Sequence, residues 1–316
     1  MQTMTKVSVI IPVYGVEKYI ARCAHSLFSQ TMREGIEFIF IDDCTPDRSI
    51  DILCEVLEQY PYRKAQTRIV KMPTNSGLPA VRQHGIQLAK GDYIIHCDSD
   101  DWVDIRMYEA MYRKAMEENA DIVICDYNTV SEDNQTKTYV GAMHTKVEKF
   151  IADMLSTKVS WSVWNKLVKK ELYSDIIYPL YAMGEDLLFT MQVCLKAHHI
   201  AYEDKAFYFY FKNNESITKV KSPLKVLDRY EQYMNNLKVL FGILSGNSKH
   251  LLGKDNGILL KMLAKDLILP LVTLDDKYYR MWLNTFPEIN YAILLYPHIT
   301  LRKKVKHLLT MLRIPN

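Results

Sequence analysis

The stretch VSVIIPVYGVEKYIARCAHSLFSQ, residues 7–30, sets the reading of the chain. Residues 7–13 form a near-continuous apolar run, the pattern of a parallel strand covered on both faces. From residue 17 the period changes, and Tyr19, Ile20, Cys23, Ala24, Leu27 and Phe28 fall on one helical stripe. A buried strand feeding an amphipathic helix is the first half of a strand–helix–strand unit. The alternation then continues. EFIFID (37–42), RIVKM (68–72), DYIIHC (92–97) and ADIVICDY (120–127) read as strands. RSIDILCEVLEQY, LPAVRQHGIQLAK and MYEAMYRKAMEEN read as helices between them. Connections of this length imply an α/β fold, Rossmann-like, with a mostly parallel sheet flanked by helices. After about residue 127 the alternation weakens: VSEDNQTKTYVGAMHTK suggests a loop or hairpin, AFYFYFKN a strand, and HHI (198–200) the end of a helix. Beyond about Ser222 the chain reads as helical. The expected organisation is a domain over 1–215 and a C-terminal helical region over 216–316.

The chain has 316 residues, 48% hydrophobic and 24% charged, enough to bury a sizeable core. Forty basic and 37 acidic residues leave a net charge of +3, too balanced to suggest a nucleic-acid partner. The six cysteines are scattered without a CxxC pair and read as buried free thiols in a reducing compartment. The segment 1–13 lacks the features of a signal peptide. The apolar stretch 257–274 is interrupted by Lys261, Lys265 and Asp266. The expected location is therefore cytoplasmic.

In open α/β sheets ligands sit beyond the carboxyl ends of the strands, and the acidic residues of this chain gather there. Asp42 and Asp43 follow the second strand, and Asp98, Asp100 and Asp101 follow the fourth in HCDSDDW. Several carboxylates beside a phosphate-bearing ligand need a hard cation, Mn²⁺ or Mg²⁺, between them. Taken alone, such a cluster is also what a solvated turn looks like. No GxGxxG or Walker A loop follows the first strand, which argues against dinucleotide enzymes and P-loop NTPases. No His/Cys spacing suits zinc, and His96 reads as a core or strand-end residue.

Four blocks in order, VSVIIPVYGVEKYIARCAHSLFSQT, EFIFIDDCTPDRS, NSGLPAVRQHGIQLAKGDYIIHCDSDDW and GEDLLF, resemble the family 2 glycosyltransferases of the GT-A fold. Bacterial members of this type build cell-surface polysaccharides. The resemblance thins after about Phe211. It implies a metal-dependent, inverting transfer of a hexosyl or N-acetylhexosaminyl group from a nucleotide-diphosphate sugar, UDP being the expected nucleotide. The acceptor would be a saccharide or a lipid-linked saccharide. By the same resemblance Pro12, Val13 and Tyr14 contact the nucleotide and Glu17 borders its pocket. Asp42 and Asp43 read the base. Asp98, Ser99 and Asp100 form the DxD-type motif, with Asp98 nearer the ribose and Asp100, helped by Asp98, on the metal. Asp186 of the Glu185–Asp186 pair is the catalytic base. Departures from the family pattern fall at Gly15, at CTPD (44–47) and at Gln83. They remove none of these carboxylates.

Several residues carry competing readings. Asp47 suits the cap of the helix that follows it. Asn75 and Gly77 suit a turn with positive φ. Arg82 either faces phosphate in the donor site or pairs with acidic groups. Glu185 and Asp186 also suit helix capping and dipole complementarity. Trp161, Trp164, Asn165 and Lys166 either line an acceptor site or pack the sheet. The basic–apolar segment LRKKVKHLLTMLR (301–313) either packs as a solvated helix or lies on an anionic membrane, such as the inner face of the cell membrane. Two other functions compete: a nucleotidyltransferase, and a nucleotide-sugar binding module without catalysis.

Overall fold

The computed structural model describes residues 4–212, 222–245, 256–296 and 299–313. Two compact units divide the chain: residues 1–150 with 161–214, and residues 151–160 with 215–316. The ten residues 151–160 leave the first unit inside a helix, without any change in composition to signal it.

The first unit is built on one nine-stranded sheet. Its parallel half joins β1 (Val7–Val13), β2 (Ile36–Asp42), β3 (Thr67–Lys71) and β4 (Tyr93–His96) in the order β3-β2-β1-β4. Helices α1 (Ile20–Phe28), α2 (Ser49–Glu58) and α3 (Leu78–Leu88) are the crossovers. The apolar run of β1 is buried on both faces, and Ile20, Cys23, Ala24, Leu27 and Phe28 form the buried stripe of α1. The register pairs Val13 with Asp42 and Ile10 with His96, so β1, β2 and β4 end along one edge. Helix α3 lies so close to this sheet that a Cβ on Gly85 would stand 2.4 Å from Ile10 Cγ2. Only glycine fits there, and that approach sets the depth of Arg82 one turn earlier.

The other half of the sheet is mixed. After β5 (Trp102–Val103) and α4 (Met107–Glu117) come β6 (Ile122–Ser131), β7 (Thr136–Tyr139), α5 (Val147–Leu155), β8 (Lys166–Lys169), α6 (Glu185–Lys196) and β9 (Ile200–Lys212). Strand β8 inserts antiparallel between β4 and β6, while β6 and β9 are parallel. The polar stretch 130–146 carries the turn and second strand of the β6–β7 hairpin. His198 and His199 do not end a helix, because Ala197 is already extended. Their N–H groups donate to Asp121 Oδ2 at 2.7 and 3.1 Å and lead into β9. The strand reading of residues 206–213 holds through Lys212; Asn213 lies outside the described residues.

The second unit is helical: α7 (Pro223–Ser245), α8 (Asn256–Ile268), α9 (Asp276–Asn284), α10 (Ile289–Leu295) and α11 (Leu301–Met311). Its core gathers Ile258, Leu259, Met262, Ile289, Ile293, Tyr296 and Ile299. Among the described residues no helix is long and apolar enough to cross a membrane. Cys23, Cys97, Cys125 and Cys194 are buried free thiols; Cys44 is half-buried and Cys54 exposed, contrary to a uniformly buried set.

Candidate active site

The loop after β1 is held by the loop after β2. Three successive backbone N–H groups donate to three side chains: Gly15 to Thr45 Oγ1 (2.8 Å), Val16 to Ser49 Oγ (3.1 Å) and Glu17 to Asp47 Oδ2 (2.9 Å). Glu17 answers by accepting from the Arg48 N–H at 3.1 Å. Asp47 Oδ1 also accepts from Thr45 Oγ1, from the Ser49 N–H and from Ser49 Oγ. Burial opposes the Asp47 charge, but the hydrogen bonds from Ser49, Thr45 and Glu17 win and hold its carboxyl at about 2. Asp47 therefore serves the start of α2 from just outside it, as expected, although the N-cap position itself is Arg48. The same bonds make Glu17 a clamp on α2.

Asp42 and Asp43 also accept from loop N–H groups. Asp42 Oδ1 accepts from the Thr45 N–H at 2.7 Å. Asp43 accepts from the Ser76 and Gly77 N–H groups, at 2.7 Å on Oδ1 and 2.9 Å on Oδ2. Asp43 thus anchors the loop that starts α3, where Gly77 takes φ +80°. Asn75 has no positive φ. Val13 is buried and its carbonyl accepts from the Asp43 N–H, whereas Pro12 is half-buried. The Tyr14 ring is 51% exposed at the strand end, with no aromatic partner among the described residues. It offers an open face where a planar base could stack.

The turn after β4 is organised differently. Arg82 is 1% exposed and reaches three carboxylates from α3. Its Nη2 donates to Asp98 Oδ1 at 3.0 Å and lies 3.7 Å from Asp186 Oδ1. Its Nε stands 2.9 Å from Glu185 Oε1, an ion-pair distance without hydrogen-bond alignment. Burial pulls the guanidinium pKa down, but Glu185, Asp98 and Asp186 hold it above the usual value. Arg82 thus has the acidic partners that were one of its two expected roles. Glu185 is fully buried, and burial with the neighbouring Asp186 pushes its carboxyl up against the pull of Arg82. Neither residue caps α6: the N-cap is Gly184, at φ +82°, with no side-chain cap bond. Both acids occupy the first turn, where the helix dipole favours negative charge.

Asp98 and Asp100 remain short of positive charge. Burial raises the Asp98 carboxyl despite Arg82. Burial and the nearby Asp98 charge raise Asp100 to about 6. Ser99 is buried between them. Asp101 is fully buried and binds inward: its Oδ2 accepts from Tyr208 Oη at 2.7 Å, and its Oδ1 from the Phe211 N–H at 2.7 Å. The same Tyr208 oxygen accepts the Asp98 N–H at 3.0 Å. The turn is thus bolted to β9, a role that nothing in AFYFYF assigns to Tyr208 over Tyr210. Arg22 lies 3.8 Å over the Trp102 ring, and its Nη2 donates to the Asp100 carbonyl at 3.0 Å. Neither Arg22 nor Tyr208 is singled out by a sequence motif.

The acceptor-side candidates are mostly structural. Trp164 is buried, stacked 4.2 Å from Tyr208 and edge-on to Tyr127. Asn165 and Lys166 are buried too: Asn165 Nδ2 donates to the Cys125 carbonyl, and Lys166 Nζ to the Ser162 carbonyl and Asn165 Oδ1. Burial brings Lys166 down to about 8. Trp161 is half-buried and its carbonyl accepts from Thr190 Oγ1. His96 is a core residue that burial and Arg82 keep uncharged.

Comparison with known proteins agrees with this architecture. The sequence model of Glycosyl transferase family 2 matches residues 8–176. EpsJ of Bacillus subtilis (strain 168), an uncharacterized glycosyltransferase, is 31% identical over 245 residues, 74% of this chain and 69% of EpsJ. Glycosyltransferase GlyA of Streptococcus pneumoniae serotype 4 is 29% identical over 227 residues, 68% of this chain but only 32% of GlyA. The crystal structure of S. aureus TarS 1–349 in complex with UDP-GlcNAc superposes with a TM-score of 0.60, covering 96% of this chain and 89% of that one. At 19% identity that likeness is one of fold. With a parallel sheet ending in carboxylate turns, and with more than half its length matched, the chain belongs to glycosyl transferase family 2.

Proposed function

We propose that this glycosyltransferase is metal-dependent and inverting. The donor is a nucleotide-diphosphate sugar, with UDP as the expected nucleotide, and the acceptor a saccharide or lipid-linked saccharide of a surface polysaccharide. The observation that carries the reading is Arg82. One buried guanidinium gathers Asp98, from the end of β4, and Asp186, from the start of α6, into one site. The fold shared with TarS, whose crystal holds UDP-GlcNAc, supports a nucleotide-sugar donor.

The carboxylates fit a divalent cation. Asp98 gives one oxygen to Arg82, and its other oxygen and the Asp100 side chain accept no hydrogen bond from another residue among those described. The upward shift of Asp100, caused by burial and by Asp98, marks a place where negative charge exceeds its compensation. Among the described residues no group of three His, Cys, Asp or Glu gathers for a metal. Two carboxylates completed by diphosphate oxygens are the usual set for such an ion. Asp98 and Asp100 would hold Mn²⁺ or Mg²⁺, whose chemistry is to offset charge on the departing diphosphate.

The protein's own groups do the rest. Tyr14 offers a face to the base, and the Asp42 and Asp43 loops hold its surroundings still. Arg82 lies 3.7 Å from one oxygen of Asp186, and the Asp186 carboxylate is the group that would face an acceptor hydroxyl. That hydroxyl oxygen attacks the anomeric carbon as its proton passes to Asp186. The bond to the diphosphate oxygen breaks on the opposite face, so configuration inverts and the nucleoside diphosphate leaves with the electron pair. The six unbridged thiols suit the reducing environment of the cytoplasm.

The test is to incubate the chain with Mn²⁺ and a panel of sugar nucleotides, reading nucleotide release and thermal shift. At least one donor should stabilise the protein in a Mn²⁺-dependent way, and Asp100→Ala should lose that dependence. If no sugar nucleotide binds or turns over, the reading falls.

A further inference from the structure

Helix α11 is turned outside in. The groups it buries are polar, His307 and Thr310. His307 Nε2 stands 3.0 Å from the Asn290 carbonyl and its ring packs 4.8 Å from Trp282. Leu309 and Met311 are half-buried, but four other apolar residues point to solvent. Leu301, Val305, Leu308 and Leu312, spaced four, three and four apart, form one stripe, and each is between 39% and 76% exposed. Helix α10 packs beside it and carries a second exposed pair, Tyr291 and Leu295, the latter 85% exposed. A stripe of this kind loses the free energy of burial while it faces water, so its exposure calls for an occupant.

Charge identifies the occupant. The segment 301–313 contains Arg302, Lys303, Lys304, Lys306 and Arg313 and no acidic residue. Arg313 is tied to Asp276, and no ion pair among the described residues holds Arg302, Lys303, Lys304 or Lys306. Asp266 is the acidic group in whose field Lys303 and Lys306 lie. By helical position Arg302 flanks the stripe on one side and Lys304 on the other, with Lys306 farther round the helix. Long basic side chains on both flanks of an apolar stripe can reach phosphate while the leucines enter the acyl boundary. A second copy of the chain would bring the same positive flank against itself, which disfavours a dimer through this face. We propose that the α11 surface is a peripheral docking site for an anionic lipid bilayer, lying in its interface plane. The proposal does not depend on the donor or metal assignment, because binding is read without substrate.

The experiment is vesicle co-sedimentation of the full chain with phosphatidylcholine vesicles, with and without 30% phosphatidylglycerol. Two variants are compared, Leu301→Ser/Val305→Ser/Leu308→Ser and Arg302→Gln/Lys304→Gln/Lys306→Gln. All six side chains are at the surface or half-buried, so circular dichroism should be unchanged. The unaltered chain should bind the anionic vesicles and release them at high salt. The charge variant should bind on the order of a hundredfold more weakly, because each substitution takes one positive charge away from the lipid headgroups. The leucine variant should lose binding to a similar degree. Absence of binding to anionic vesicles overturns the proposal, as does equal binding by either variant. So does a concentration-dependent dimer, seen by light scattering, that only the leucine variant abolishes while vesicles are ignored.

Discussion

The loop after β1 and the turn after β4 end neighbouring strands of one sheet, yet their carboxylates stand in opposite circumstances. Around β1 and β2, Glu17, Asp43 and Asp47 each accept backbone N–H groups, so their charge is consumed in holding loops. Around β4 and α6, Asp98, Glu185 and Asp186 share one guanidinium while Asp100 stands outside its reach, and burial pushes Asp98, Asp100 and Glu185 upward. Acidic residues at strand ends are alike in sequence. What separates a structural carboxylate from a reactive one is whether the protein itself has already satisfied it.

The sharpest way to break this contrast is Asp186→Asn. It should lower transfer by about 10²- to 10⁴-fold, the usual worth of a positioned general base, while donor binding by calorimetry stays within a factor of two or so. Full transfer in that variant would remove Asp186 from the chemistry. Next in size is Arg82→Met. Three carboxylates would lose their common counter-charge, and denaturant unfolding should show a loss of about 3–5 kcal/mol. A loss below about 1 kcal/mol would mean that the acids redistribute their protons freely and that Arg82 is not their organiser.

Tyr208→Phe tests the bolt under the DSDD turn. It removes the hydroxyl between the Asp98 N–H and Asp101, and should cost about 1–3 kcal/mol because two buried groups lose a partner. Asp47→Asn tests the satisfied side. The folded carboxyl sits at about 2 against an ordinary 3.8, so folding releases protons between those values. Its contribution is fully present above pH 4 and fades as pH falls toward 2. The stability gap between the two proteins should therefore be constant above pH 4 and narrow below it. A gap independent of pH would assign the effect to geometry instead of charge.

The sequence made the parallel half of the sheet readable because β1, β2 and β4 are apolar runs and strands alternate there with helices. Strands β5 and β8, of two and four residues, carry too little pattern to be recognised. The mixed order of the second half depends on β8 inserting between β4 and β6, a pairing between distant segments that leaves no local period. Among the site residues, the position of Asp42, Asp43 and Asp98–Asp101 at strand ends was legible from the alternation alone. The joining of Asp98 to Asp186 was not, since 88 residues of sequence separate them and the link is the side chain of a third residue, Arg82. Trp164 and Lys166 look like surface binding groups in WSVWNK, yet Trp164 is buried against Tyr127 and Tyr208, and Lys166 starts β8, an interior strand.

By itself the sequence determined the alternating elements, the edge at which acidic residues collect, and a family-type order of motifs, because periodicity and spacing are local properties. Only the tertiary structure decided which carboxylates are used up and which stay available. That outcome depends on where distant donors, the loop amides on one side and Arg82 and Tyr208 on the other, come to rest in space, and on how much water burial removes from each charge.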